Sequence, residues 1–325
     1  MNVPILLLLY KRPETTIHVI NALKKVKAKL IYIAINVPPI DKSHKDYQNY
    51  KKVLNIVNKI NWKCELKIKK RKKHLNSYES YKKSVKWFFK NEKEGIILED
   101  DTVPNQSFFS FCKKLLEKYR NNKKIALISG TSFINKKNMG NESYLFSNFS
   151  LMWGYATWRR TINDYDEKMK DWPKLKKRLF SNITKDKIVI SYWTKIFNHA
   201  YKNKLMAFDY RMVYSNFKKN KLTIIPKKNL VKNIGFGNSA THTIDSGWYS
   251  NFKTSELKNI KHPKMIIPNF SYDNWLNNNL FGIKYGHYSK KIKKFKIFNN
   301  KIAFNFARNI YLVFKSILRK MTRID

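Results

Sequence analysis

The first half of the chain alternates short apolar runs with longer amphipathic stretches. Ile5 to Tyr10 is a continuous apolar run of strand length. Pro13 and Glu14 open a helix reaching about Lys27, with Ile17, Val19, Ile20 and Leu23 along it. Leu30 to Ile35 reads as a second strand, ended by Asn36, Val37, Pro38 and Pro39. Asp46 to Ile60 reads as a helix and Cys64 to Ile68 as a third strand with alternating apolar positions. Asn76 to Asn91 is a helix carrying Val85, Phe88 and Phe89. Ile96 to Leu98 predicts a fourth strand, Gln106 to Arg120 a helix and Ile125 to Ser129 a fifth strand. This order predicts an α/β fold, a mainly parallel sheet with helices on both faces.

Beyond about residue 130 the alternation fades. Phe146 to Arg160 is rich in aromatics, Lys185 to Asn203 and Asp209 to Asn220 read as helices, and Ile224-Ile225 suggests a short strand. Gly235-Phe236-Gly237 marks a loop. Lysines 290, 291, 293, 294 and 296 precede a helical stretch, Ile302 to Met321. It sets Ala303, Ala307, Ile310, Phe314, Ile317 and Met321 on one face. The expected organisation is a main domain of residues 1–250, divided near residue 130 into halves 1–130 and 131–250. An extension, 251–289, packs on it, and 290–325 forms a basic amphipathic helix.

Composition changes the expected partners more than the fold. A content of 43% hydrophobic and 15% aromatic residues excludes global disorder. The net charge of +45 admits three readings: an AT-rich codon bias, attraction to an anionic membrane surface, or nucleic-acid binding. Lysines are spread through every segment instead of forming one stripe, which disfavours a specific nucleic-acid partner. No run nears the about 20 apolar residues of a spanning helix. A basic amphipathic terminal helix fits peripheral binding at the inner face of the cytoplasmic membrane. Its alternatives are packing back on the domain or a dimer contact. Cys64 and Cys112 lie in different elements without metal-ligand spacing, as reduced thiols of a cytosolic protein would. The apolar N-terminus lacks a basic leader region, so no secretory signal is expected.

The candidate chemistry sits at Glu99-Asp100-Asp101, directly after the fourth strand. Three adjacent carboxylates raise one another's pKa and oppose folding unless a cation or polar ligand offsets them. Hard oxygen donors suit Mg²⁺ or Mn²⁺. Open α/β sheets bind ligands beyond the carboxyl ends of their strands, where this triplet falls. The alternative is an acidic surface turn whose Asp100 or Asp101 caps the next helix.

Five segments then carry a family resemblance. They are Leu9-Tyr10-Lys11-Arg12-Pro13; Gly95 to Asp101 with Pro104 and Ser107-Phe108-Phe109; Ile128-Ser129-Gly130; Trp153 to Arg160; and Asn229 to Gly237 with Ala240-Thr241-His242-Thr243. In this order they resemble the GT-A glycosyltransferases, and more narrowly bacterial hemolytic-protein HlpA-like members related to N-acetylglucosaminyltransferase I. The resemblance covers about residues 3 to 243.

The resemblance implies that Asp101 ligates the metal and Asp100 contacts the donor ribose or sugar, while Glu99 holds the turn or the donor sugar. Arg12 is implied near the nucleotide; otherwise it is a surface cation at a helix start, where the dipole disfavours it. Asn36 stands where relatives carry Asp and would meet the base through its amide. His74 to Ser77 lacks the glycine of the relatives' turn. Trp153, Gly154 and Tyr155 are implied as the acceptor wall, Gly154 letting the backbone approach the ligand. Trp158 reads as core. Asp209, within Phe208-Asp209-Tyr210-Arg211, is implied as the general base of an inverting displacement, or else it is a helix N-cap. His242 is implied to reach the metal or diphosphate after loop ordering, or else it is a surface histidine. The activity implied is Mn²⁺- or Mg²⁺-dependent sugar transfer. The donor is a nucleotide sugar, and the acceptor is a surface glycan or lipid-linked glycan such as lipopolysaccharide, lipooligosaccharide or capsule. Two other classes stay open. A nucleotidyltransferase on a similar sheet would need a Gly-rich phosphate loop, which Leu6 to Glu14 lacks. A non-enzymatic binder of anionic lipid or nucleic acid leaves the triplet unexplained.

Overall fold

The computed structural model describes residues 1–40, 43–134, 140–236 and 252–283. His242 and the stretch 302–321 lie outside the described residues. Strand β1 (Ile5–Leu9) is paired in parallel with β2 (Leu30–Ile35) on one side and β4 (Glu94–Glu99) on the other. Its run is apolar throughout because both faces are covered. Ile5, Leu7 and Leu9 pack in a layer with α1 (Pro13–Lys25), α2 (His44–Asn58) and α4 (Gln106–Lys118). Leu6 packs in the opposite layer with α3 (Ser77–Asn91) and α8 (Phe208–Lys218). The predicted α/β class, with helices on both faces, is what the structure has.

The remaining strands are β3 (Glu65–Lys70), β6 (Ile125–Ser129), β7 (Tyr144–Ser147), β8 (Tyr155–Trp158) and β9 (Leu222–Pro226). The eight-stranded order is β3-β2-β1-β4-β8-β6-β9-β7. Strand β8 inserts antiparallel between β4 and β6, and β7 is antiparallel to β9. The aromatic stretch Phe146 to Arg160 thus supplies the end of β7, all of β8 and the start of α5 (Arg159–Asn163). A separate two-stranded ribbon joins β5 (Thr102–Pro104) to β10 (Val231–Asn233).

A second, aromatic core gathers Trp172, Trp193, Phe197 and Phe217 from α6 (Trp172–Leu175), α7 (Lys187–Tyr201) and α8. Residues 252–283 join it through Tyr272 of α9 (Phe270–Trp275) and Leu276 of a following π-helical turn, both buried. Asp273 ties this segment to β7: its carboxylate accepts from Ser147 Oγ and from the amide and side chain of Asn148. Among the described residues, no helix is long and apolar enough to cross a membrane.

Candidate active site at the carboxyl end of the sheet

Strand β4 delivers Glu99 opposite Leu8 of β1. Thr102 fixes the turn that follows: its Oγ1 accepts from the Glu99 N–H at 2.8 Å and donates to the Glu99 carbonyl at 3.1 Å. The ribbon then brings a distant segment over the triplet. Asn233 pairs with Thr102, and the Ile234 N–H donates to the Asp101 carbonyl at 2.9 Å.

Arg12 meets the triplet from the end of β1. It occupies the N-cap of α1, where the helix dipole disfavours a cation, and two carboxylates hold it there. Nη2 pairs with Asp100 Oδ1, and Nη1 lies 2.8 Å from Asp101 Oδ2. The Arg12 side chain is only 17% exposed, which excludes a surface cation. Asp100 and Asp101 are themselves buried, so neither is a plain surface turn residue. Asn105 caps α4, accepting from the Phe108 N–H, so neither aspartate serves that helix.

One guanidinium offsets only part of three carboxylates. Burial, reinforced by Asp101 and Asp100, pushes Glu99 up to about 8. Burial also lifts Asp100 to about 6, against the pull of Arg12 and of the Tyr10 backbone. Asp100 Oδ2 is buried with no hydrogen-bond partner. The site therefore carries an unsatisfied preference for positive charge.

Asp209 approaches from the other layer. Phe208 stacks on Tyr165 at 4.3 Å and lies 4.9 Å from the Tyr81 ring, which seats the start of α8 against α3. Ala207 is the N-cap and Asp209 lies in the first turn, its Oδ1 accepting from the Tyr210 N–H. The N-cap reading of Asp209 is thereby corrected. Its charge is felt at Glu99 and at Tyr81. Tyr81 donates to the Tyr155 hydroxyl at 3.0 Å, and Glu99 acts on both phenols. Tyr81 was not singled out in the sequence, and no local signal marks it.

The other expected positions divide. Asn36 is buried, and its amide bonds the Leu75 backbone twice: Nδ2 donates to the carbonyl and Oδ1 accepts from the N–H. These two bonds tie β2 to the turn after β3. Trp153 is half-buried, edge-on to Phe133 and Phe236. Tyr155 is fully buried in β8, so its ring offers no exposed face for a sugar. Gly154 has φ +65, and a Cβ there would stand 2.9 Å from Val231 Cγ2. The space a Cβ would take is filled by the chain's own β10. Trp158 is core, with the Arg160 guanidinium over its ring. His242 lies outside the described residues.

Gly235 is the glycine the site requires. A Cβ there would fall 1.9 Å from Asp101 Oδ2 and 2.8 Å from Arg12 Nη1. The signal was its rarity, since the chain has nine glycines in 325 residues. Gly235→Ala is expected to lower stability by about 1–3 kcal/mol through overpacking and to displace Asp101. Urea denaturation measures the loss; an unchanged midpoint would show that the loop yields freely.

Among the described residues no three His, Cys, Asp or Glu side chains converge on a cation position. The donor chemistry still fits a hard divalent ion: two adjacent aspartates, one with an unpartnered buried oxygen.

No family model matches the chain, and no curated protein does. Solved structures give loose likenesses. The mannosyltransferase PcManGT from Pyrobaculum calidifontis, in complex with GDP-Man and Mn²⁺, is 6% identical, with a TM-score of 0.36 over 67% of this chain and 70% of that one. A UDP-glucose pyrophosphorylase complexed with UDP-glucose is 8% identical, with a TM-score of 0.35 over 70% and 91%. Mouse xyloside xylosyltransferase 1 in its apo form is 10% identical, with a TM-score of 0.34 over 69% and 85%. At these values the likeness is too loose to assign a family or an activity.

Proposed function

We propose that this chain is a divalent-metal-dependent glycosyltransferase of GT-A type, moving a sugar from a nucleotide-sugar donor to a surface glycan or lipid-linked glycan. The observation that carries the reading is the buried Asp100–Asp101 pair at the carboxyl end of central strand β4, bridged by Arg12 from β1. A diphosphate carries the negative charge that Arg12 and a cation would meet. Asp101 would hold Mn²⁺ or Mg²⁺, with His242 as a further ligand and Asp100 meeting the donor ribose or sugar; when bound, the metal supplies Lewis-acid stabilisation of the leaving diphosphate. Arg12 offers the diphosphate a charge-assisted fork. Asp209 takes the proton of the acceptor hydroxyl. Trp153, with Phe236 beside it, forms part of the acceptor wall. The net charge of +45 and the basic 290–325 segment hold the protein at an anionic cytoplasmic leaflet, where lipid-linked acceptors are presented.

Thermal stabilisation by UDP-, GDP-, CMP- and dTDP-sugars, with and without Mn²⁺, tests the donor site. One nucleotide class is expected to stabilise the protein in the presence of Mn²⁺, by about 2.7 kcal/mol at a hundredfold excess over Kd. Asp101→Ala is expected to lose that gain. No Mn²⁺-dependent shift with any donor sinks the reading. Release of pyrophosphate from a nucleoside triphosphate and a sugar phosphate reassigns the protein as a nucleotidyltransferase.

A further inference from the structure

Strand β7 ends the sheet at the edge opposite β3, and its free side carries an irregular strap, residues 258–270, which ends at the first residue of α9. The strap is anchored at both ends. Ser143 donates from its amide to the Lys261 carbonyl and from Oγ to the Asn259 carbonyl, and Oγ accepts from the Lys261 N–H. The Tyr144 hydroxyl and His262 Nδ1 are 2.9 Å apart. At the other end Pro268 bridges Phe146, and the Asn269 N–H donates to the Phe146 carbonyl at 2.7 Å.

Between and just beyond these anchors, three large apolar side chains face water. Met265 is 65% exposed, Ile267 57% and Phe270 53%. Single exposed apolar residues need no explanation, but three within six residues on a tethered strap leave apolar surface that cannot fold back. Lys258, Lys261 and Lys264 are exposed along the same strap. Burial lowers the His262 pKa, helped by Lys118 and Lys114 of α4 close by. The acidic residues near by are Glu142, directly before Ser143, Glu256 and, on α4, Glu117.

This combination selects among occupants. A second copy seated face to face would set five lysines against five. Residues 284–325 carry twelve Lys and Arg against one Asp, so charge opposes their seating here too. An anionic bilayer satisfies both features: headgroups receive the lysines, and the acyl boundary receives the apolar side chains.

We propose that the 258–270 strap is a membrane-contact surface, with Met265, Ile267 and Phe270 entering the interface of an anionic bilayer and the surrounding lysines holding its headgroups. The inference rests on the proposed membrane association and adds a second contact beside the basic 290–325 segment. The test is co-sedimentation of the full chain with phosphatidylcholine vesicles, with and without phosphatidylglycerol. The variants are Met265→Ser/Ile267→Ser and Lys261→Gln/Lys264→Gln, with circular-dichroism melts confirming that each folds. Wild type is expected to bind only the phosphatidylglycerol vesicles, and each double variant to bind about tenfold more weakly. Ile267→Trp is expected to shift its emission to the blue on adding those vesicles. Absence of wild-type binding overturns the membrane reading itself. Wild-type binding with undiminished binding by both double variants, or no shift at Ile267→Trp, overturns the strap alone. A dimer that Met265→Ser/Ile267→Ser dissolves, with no difference on vesicles, makes the strap a self-contact instead.

Discussion

Arg12→Ala is expected to destabilise the fold by about 3–5 kcal/mol at pH 7, the range for breaking one side of a buried ion pair. The guanidinium serves Asp100 and Asp101 together, and both are buried. Without it, two carboxylates and Glu99 share a desolvated turn with no cation. The deficit depends on pH, and its sign follows from the direction of the shifts. Glu99 and Asp100 already stand above their ordinary values, at about 8 and about 6, with burial as the leading cause. Removing Arg12 raises them further, so the native state binds protons more tightly than the unfolded chain. Such groups contribute stability that is full below the unfolded pKa and is lost as pH rises through the folded one. The variant is therefore expected to recover part of its deficit between pH 7 and pH 5. Arg12→Lys restores the charge but not the fork that spans two carboxylates, so an intermediate loss is expected. Urea denaturation of the three proteins at pH 5 and pH 7 decides the matter. A deficit that is equal at both values would mean that the carboxylates relax into solvent once Arg12 is gone.

The parts of this molecule that were legible in the sequence are those set by local burial. Strands β1 and β2 are apolar throughout and β4 is apolar over Ile96 to Leu98 because helices cover both faces, and such runs announce themselves. The triplet was legible for the opposite reason, since three acids after an apolar run demand an account. What stayed hidden depends on register across long separations. Strand β8 has four residues and owes its place to antiparallel pairing with β4 and β6, which no local pattern encodes. Strands β5 and β10 have three residues each, yet they place Gly235 against Asp101. The Arg12–triplet bridge joins residues 88 and 89 positions apart, and it needs β1 and β4 to be neighbours. The two bonds of Asn36 to the turn after β3 were hidden because an exposed amide and a buried one spell the same letter. Only the Leu75 backbone, brought alongside by the pairing of β2 with β3, shows where its hydrogen bonds go.

Asp209→Asn is expected to lower kcat by about 10²–10⁴, the range for removing a general base. The change is conservative for the fold. An amide oxygen still accepts from the Tyr210 N–H, and Phe208 keeps its place between Tyr81 and Tyr165. The lost charge in the first turn of α8 costs about 0.3–1 kcal/mol of dipole energy. Donor-dependent stabilisation should survive, because Arg12, Asp100 and Asp101 are untouched. This separates Asp209 from Asp101, whose loss is expected to remove the donor response itself. A second signature lies in the pH profile. Asp209 helps to raise Glu99, so Asp209→Asn should move Glu99 down while abolishing the limb of kcat/KM that reports the base. Donor titration by thermal shift, followed by kcat against pH, distinguishes the outcomes. Donor response intact with kcat collapsed makes Asp209 the base. A variant that turns over at the wild-type rate leaves Asp209 as a charge that tunes Glu99, and the base must then be sought among the other groups at the mouth of β4.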